Sequence, residues 1–158
     1  MPQPLLAHSI AVRRVLTQAF VDDPMFRWIF PDPDVRLDVG PLPFPELPSL
    51  PGLLGAIVGV DRQRALGQRL RAFAAARPEG SFAYLHFLPV APDHQGHGLG
   101  KQLIQLGLDS TSSTGLGVHL ETTNPTTIGF YESLGFAVTH EFRLEPDGPP
   151  AWTMWRPA

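Results

Sequence analysis

Apolar residues recur along this chain with two periods, and the change from one to the other orders it. Val12, Val15, Leu16, Ala19 and Phe20 fall at i, i+3, i+4, i+7 and i+8, a single stripe on an α-helix. Ser9 suits the N-cap of that helix. Pro24 disfavours helical geometry in the residue before it, which predicts an end by about Asp23. The aromatic run Phe26, Trp28, Phe30 follows. Residues 53–77 read as helix again, in two pieces. Asp61 can cap the second, with Leu66, Leu70, Phe73 and Ala74 as its buried stripe and Arg62, Arg64, Arg69 and Arg71 on a solvated flank. Pro78 and Gly80 end it.

From residue 82 the pattern becomes that of strands. Residues 82–90 are almost continuously apolar, as expected of a strand buried on both faces. Pro89 has no N–H to give a ladder, so the strand is expected to bulge or leave its neighbour there. Leu99, Leu103 and Leu106 predict the core stripe of a helix running to about Asp109. Residues 118–122 alternate, with Val118, Leu120 and Thr122 on one face and His119 and Glu121 on the other. Asn124-Pro125 opens a further helix, with Ile128, Tyr131 and Leu134 on its buried side and Gly135 as its C-cap. Residues 136–144 and 151–156 complete the pattern as a hairpin.

One passage carries no period. Between residues 31 and 51, prolines stand at 31, 33, 41, 43, 45, 48 and 51, which argues against regular helix or a central strand. Residues 35–40 leave room for a remnant strand at most.

The candidate chemistry begins where the first strong strand meets a helix. Gly96, Gly98 and Gly100 strip side chains from the turn between them. The N–H groups of a helix's first turn lack intrahelical partners, and the helix dipole makes that end positive. Together these form an anion site suited to phosphate. Lys101, the only lysine of the chain, stands at its mouth. A Walker-type loop is excluded, because Gln95 occupies the position of its first glycine and Gln102 that of its Ser or Thr. A Rossmann turn is excluded because Lys101 stands where the third glycine belongs. The pattern that fits is Q-x-x-G-x-G, through Gln95, Gly98 and Gly100. His94-x-x-His97 has metal-ligand spacing without a third ligand nearby, so no metal is expected.

Composition narrows the setting. The chain has 158 residues, 43% hydrophobic and 17% charged, and a net charge of −3. That is expected of one globular domain, with no basic footprint for nucleic acid. Cysteine is absent, so there is no thiol nucleophile and no disulfide. No signal-peptide pattern and no apolar run near ~18 residues is visible, so a cytoplasmic protein off the membrane is expected.

The loop QGHGLG at 95–100 is followed about twenty residues later by LETTNP at 120–125, and then by FYESLGF at 130–136. This pair of motifs resembles the GNAT superfamily of N-acetyltransferases, closely over 81–158 and moderately over 9–36. The resemblance implies an α/β (α+β) acyl-CoA N-acyltransferase fold: a mixed, mostly antiparallel sheet flanked by helices, in one domain. An acceptor-side half would cover about 9–80 and an acetyl-CoA half about 81–158. The family places a helix and a hairpin where this chain has only 36–51, so its second and third strands are expected to be lost or shortened. An uncovered edge would favour a homodimer.

The resemblance also implies an acetyl-CoA cosubstrate and a small-molecule amine as acceptor. Gln95, Gly96, His97, Gly98, Leu99, Gly100 and Lys101 would hold the pyrophosphate, and Leu88 and Val90 would align the pantetheine arm. Asn124 would orient that arm or only cap its helix. Tyr131 would protonate the leaving thiolate, unless it is a core tyrosine of the helix stripe. Glu121 and His86 are the two candidate bases, and His86 also reads as a satisfied buried histidine. Two functions follow: an active N-acetyltransferase, or a degenerate fold that binds acyl-CoA or a partner without turnover.

Overall fold

The computed structural model describes residues 15, 18–29, 67, 71–86 and 88–158. The start of the first helix, the passage 31–51 with its remnant strand at 35–40, and most of the helices expected over 53–77 lie outside the described residues.

Residues 15 and 18–20 are helical, and the chain turns at 21–22. A short helix not read from the sequence then begins, α1 (Pro24–Ile29). Asp23 caps it, its Oδ1 accepting from the N–H of Met25 (3.0 Å) and of Phe26 (3.3 Å). Pro24 thus ends one helix and opens the next, since a first-turn proline lacks only an N–H that had no partner. The remaining elements are α2 (Arg71–Ala75), β1 (Ala83–Leu85), α3 (Leu99–Ser112), β2 (Val118–Thr122), α4 (Ile128–Glu132), β3 (Ala137–Arg143) and β4 (Pro150–Arg156). Short 3₁₀ turns at Pro92–His94 and Pro125–Thr127 lead into α3 and α4.

The described strands form one sheet in the order β1-β2-β4-β3. β1 runs parallel to β2, and the other two pairings are antiparallel. The sheet is therefore mixed and mostly antiparallel, as expected. β1 is much shorter than the expected 82–90. It pairs only through Ala83–Val118, Tyr84–His119 and Leu85–Leu120, so it has left β2 well before Pro89. Its residues are half-buried rather than sealed on both faces, and His86 is exposed.

One face of the sheet packs against α3 and α4, with Leu120, Met154, Ile104, Leu108, Leu134 and Phe136 in its core. Here the predicted stripe of α3 is corrected: Leu99, Leu103 and Leu106 are 37%, 49% and 67% exposed. The row that faces the sheet is Gly100, Ile104 and Leu108. A Cβ on Gly100 would stand 3.6 Å from Phe130 and 3.7 Å from Leu88 and from Val90. A helix turns about 100° per residue, so Leu99 and Leu103, one position before that row, point away. The helix also runs on to Ser112, past the expected end.

On the other face, Phe73 of α2 packs with Leu144 and Ala151, flanked by Met25, Trp28 and Phe142. Phe73 and Phe142 meet edge to face at 5.4 Å. β3 reaches this second core through a bulge. Val138 pairs with Met154 and His140 with Thr153, which leaves Thr139 without a cross-strand partner. The Thr139 hydroxyl instead reaches the Thr153 carbonyl (3.1 Å) and hydroxyl (2.8 Å). Gly117, just before β2, lies under the Trp155 ring so closely that a Cβ there would overlap it.

Candidate active site

A cavity of about 970 Å³ opens between the two layers where β1 leaves β2. Its walls come from α1, the turn after α2, β1, the loop into α3, the end of β2 and α4. Every candidate residue named from the sequence lines it: His86, Leu88, Val90, the loop residues Gln95, Gly96, Gly98, Leu99, Gly100 and Lys101, then Glu121, Asn124 and Tyr131. His97 is the exception; it belongs to the same exposed loop but is not among the lining residues.

At one end the site is backbone. Gly96 and Gly98 both adopt φ of 76°, the left-handed region that side chains rarely tolerate. Gly98 is the N-cap of α3 and has no side-chain partner, and the first intrahelical bond is Gln102 N–H to Gly98 O at 3.1 Å. The N–H groups of residues 99–101 therefore remain for a ligand. The space a Cβ would occupy at Gly96 or Gly98 is empty to 4 Å, so an oxygen-rich group can approach this backbone. Gln95 fixes the loop, its side-chain amide donating to the Val90 carbonyl at 3.0 Å. His94 turns to Asp93, at 2.8 Å.

At the other end the site is made of side chains. Phe82, Tyr84 and His86 share one side of their segment and form an aromatic row with His119 of β2: Tyr84 stacks on His119 at 5.5 Å and meets His86 edge-on at 4.5 Å. Glu121 lies on the same face. It accepts from Tyr84 Oη (2.8 Å) and Arg77 Nε (3.1 Å), with His119 Nε2 at 3.4 Å. Burial alone would raise the Glu121 pKa, but these hydrogen bonds and the Arg77 charge hold it below the usual carboxylate range. Tyr84 is pushed well above an ordinary phenol by burial and by the Glu121 charge. His86 is held below the usual histidine value, first by burial, with Arg77 adding to this and Glu121 opposing it.

Between the two ends stand Asn124, Tyr131 and Asp23. Asn124 Oδ1 caps the turn into α4, accepting from the Thr126 N–H (3.1 Å) and hydroxyl (2.7 Å). Tyr131 packs beside Phe130 and Phe136 and lines the cleft. Burial, and then the charge of Asp23, raise its pKa, so its phenol carries a proton at neutral pH. Arg77, Tyr84 and Asp23 were not singled out by sequence reasoning. For Asp23 a local signal existed, an Asp directly before a Pro that opens a helix.

The comparisons with known proteins bear on the family and the fold. Residues 19–136 match the Acetyltransferase (GNAT) family. A curated relative, peptidyl-lysine N-acetyltransferase YjaB of Salmonella typhimurium, is 33% identical over 67 residues, 42% of this chain and 45% of that protein. The match thus spans under half of that relative's length. Among solved structures, histone acetyltransferase HPA2 and related acetyltransferase from Corynebacterium glutamicum superposes with a TM-score of 0.59 at 22% identity, covering 96% of this chain and 92% of that one. A GNAT-family protein from Desulfovibrio desulfuricans gives a TM-score of 0.52 at 18% identity, covering 99% and 94%. At these identities the two structures establish the fold.

Proposed function

Because this chain belongs to the Acetyltransferase (GNAT) family, we propose that it acts as one domain that transfers an acetyl group from acetyl-CoA to a primary amine of a small molecule. The observation that supports this best is the continuity of the cleft. It joins a glycine-built anion end to a protonated, half-buried tyrosine. Residues 96–101 would take the pyrophosphate on main-chain N–H groups. Among the described residues Leu88 and Val90 take part in no strand pairing, which leaves their segment to align the pantetheine arm in this reading.

In this reading the amine nitrogen attacks the thioester carbonyl, forming the C–N bond as the C–S bond breaks. The thiolate leaves with the proton of Tyr131, whose raised pKa keeps the phenol loaded. Of the two candidate bases, His86 suits the task better. Its lowered pKa leaves it neutral at pH 7, facing the cleft. Glu121 already accepts from Arg77, Tyr84 and His119 and holds its charge tightly, which makes it a weaker base and a better scaffold. Asn124 would steer the arm with its amide N–H₂, since its oxygen is committed to the cap.

Thiol release from acetyl-CoA tests this, measured with a panel of small primary amines and a lysine peptide beside calorimetry of acetyl-CoA binding. The peptide is included because the Salmonella relative is named for peptidyl-lysine. Acetyl-CoA binding with amine-dependent thiol release is expected. Binding without release from any amine would favour a non-catalytic acyl-CoA binder, and no binding would reject both.

A further inference from the structure

The cleft contains two carboxylates in opposite circumstances. Glu121 has three donors, one of them an arginine. Asp23 has three donors as well: the N–H of Met25 (3.0 Å), the N–H of Phe26 (3.3 Å) and the Thr123 hydroxyl (3.3 Å). All three end on Oδ1. Among the described residues none reaches Oδ2, and no Arg or Lys pairs with this carboxylate. It lines the same cleft as Tyr131, close enough that its charge acts on the Tyr131 phenol.

A partly buried carboxylate without a counter-ion is costly, and burial here raises its pKa despite the three hydrogen bonds. A ligand that brings its own cation removes that cost and adds a charge-assisted hydrogen bond. The surroundings suit an alkylammonium. Phe26 stacks on Phe20 at 5.5 Å, and both line the cleft beside Asp23, offering apolar surface and ring faces to a cation. Capping α1 explains one oxygen of Asp23 and leaves the other without a structural task.

We propose that Asp23 is the acceptor-recognition residue: Oδ2 receives the ammonium form of the incoming amine, making cationic alkylamines the preferred substrate class over neutral amines. This rests on the acetyl-transfer reading above. The ammonium docks next to Tyr131, where the thiolate leaves, and gives a proton to His86 before attack.

Asp23→Asn separates recognition from capping, because asparagine caps a helix as well as aspartate does. Two acceptors are compared in the full chain: butylamine, a cation at pH 7, and aniline, which is neutral. The variant is expected to raise the KM for butylamine roughly tenfold, and to leave the KM for aniline, acetyl-CoA affinity and Tm close to the parent's. Asp23→Ser, which also caps, should show the same split. Butylamine affinity is read independently by calorimetry with coenzyme A present, where no turnover occurs, and it should weaken by the same factor. Absence of turnover in the parent protein would reject the acetyl-transfer reading, while the calorimetric difference would still uphold the recognition role. Equal losses for butylamine and aniline, or an unchanged butylamine affinity in both variants, would overturn it.

Discussion

At the loop end of the cleft the polar groups on offer are main-chain N–H groups, laid open by Gly96 and Gly98 at positive φ. At the opposite end they are side chains, with Glu121 gathering Arg77, Tyr84 and His119 from three separate segments. The first end depends on what is missing: no Cβ stands between the backbone and a ligand. The second depends on what is present, since Tyr84 and His119 would each lose a buried partner without Glu121. One end can therefore bind an invariant group such as a pyrophosphate. The other can be retuned by exchanging single side chains.

The largest test of this division lies at Tyr131, where the two ends meet. Tyr131→Phe keeps the ring against its neighbours Phe130 and Phe136 and removes only the hydroxyl. A fall in kcat of roughly 10²-fold or more, about 3 kcal/mol, is expected with coenzyme A affinity unchanged. A near-normal kcat in single-turnover measurement would make Tyr131 a packing residue and break the continuity between the ends.

Next in size is Glu121→Ala, expected to cost about 2 kcal/mol of stability while leaving coenzyme A affinity near the parent value. Its signature is pH-dependent. The folded-state pKa of Glu121 lies below its ordinary value of 4.5. Its contribution is therefore present above pH 4.5 and lost as pH falls through the folded pKa. Urea titrations from pH 7 downward should show the parent's advantage over the variant shrinking below that point. A constant difference across the range would mean that packing, not the charge network, is at stake.

The smallest effect is expected at the loop. In Gly98→Val a β-branched residue must adopt a φ of 76° or the loop must relax, a strain of about 1–2 kcal/mol. Coenzyme A affinity should fall about tenfold, with the Glu121 end and its pH response untouched. Unchanged affinity in a folded Gly98→Val protein would remove the pyrophosphate from this loop.

The same division governs how much could be read beforehand. The loop was legible because its signal is local: glycine spacing between a strand and a helix dictates exposed N–H groups wherever it occurs. That Asn124 and Tyr131 line the cleft was legible through the motif around them, β2 through its alternation, and β1, though much shorter than expected, through an apolar run. The network around Glu121 was not, because Arg77 and Tyr84 come from 44 and 37 residues away and no local pattern links them. α3 was misread for another reason. Its leucines drew the stripe, but the row that packs contains Gly100, whose missing side chain lets the helix approach Leu88, Val90 and Phe130. A search for large apolar residues overlooks a contact made by a small one. Pro24 shows a third kind of miss: the same residue that stops one helix starts α1.

The bulge in β3 can be viewed as a slip of half a wavelength. A strand repeats every two residues, and Thr139 inserts one extra. Before it, Phe136 and Val138 are in phase with the α3 side of the sheet; after it, His140 and Phe142 are in phase with Thr153 and Ala151 on the α2 side. One strand thereby serves two cores. A chain lacking only Thr139 would keep every one of these pairings on an unbroken wave, losing the hydroxyl's bonds to Thr153 and some local twist. A chain lacking one residue farther along, at Glu141, would advance Phe142 by half a wave and turn it away from Phe73. Along this strand, the position of a deletion decides more than its size.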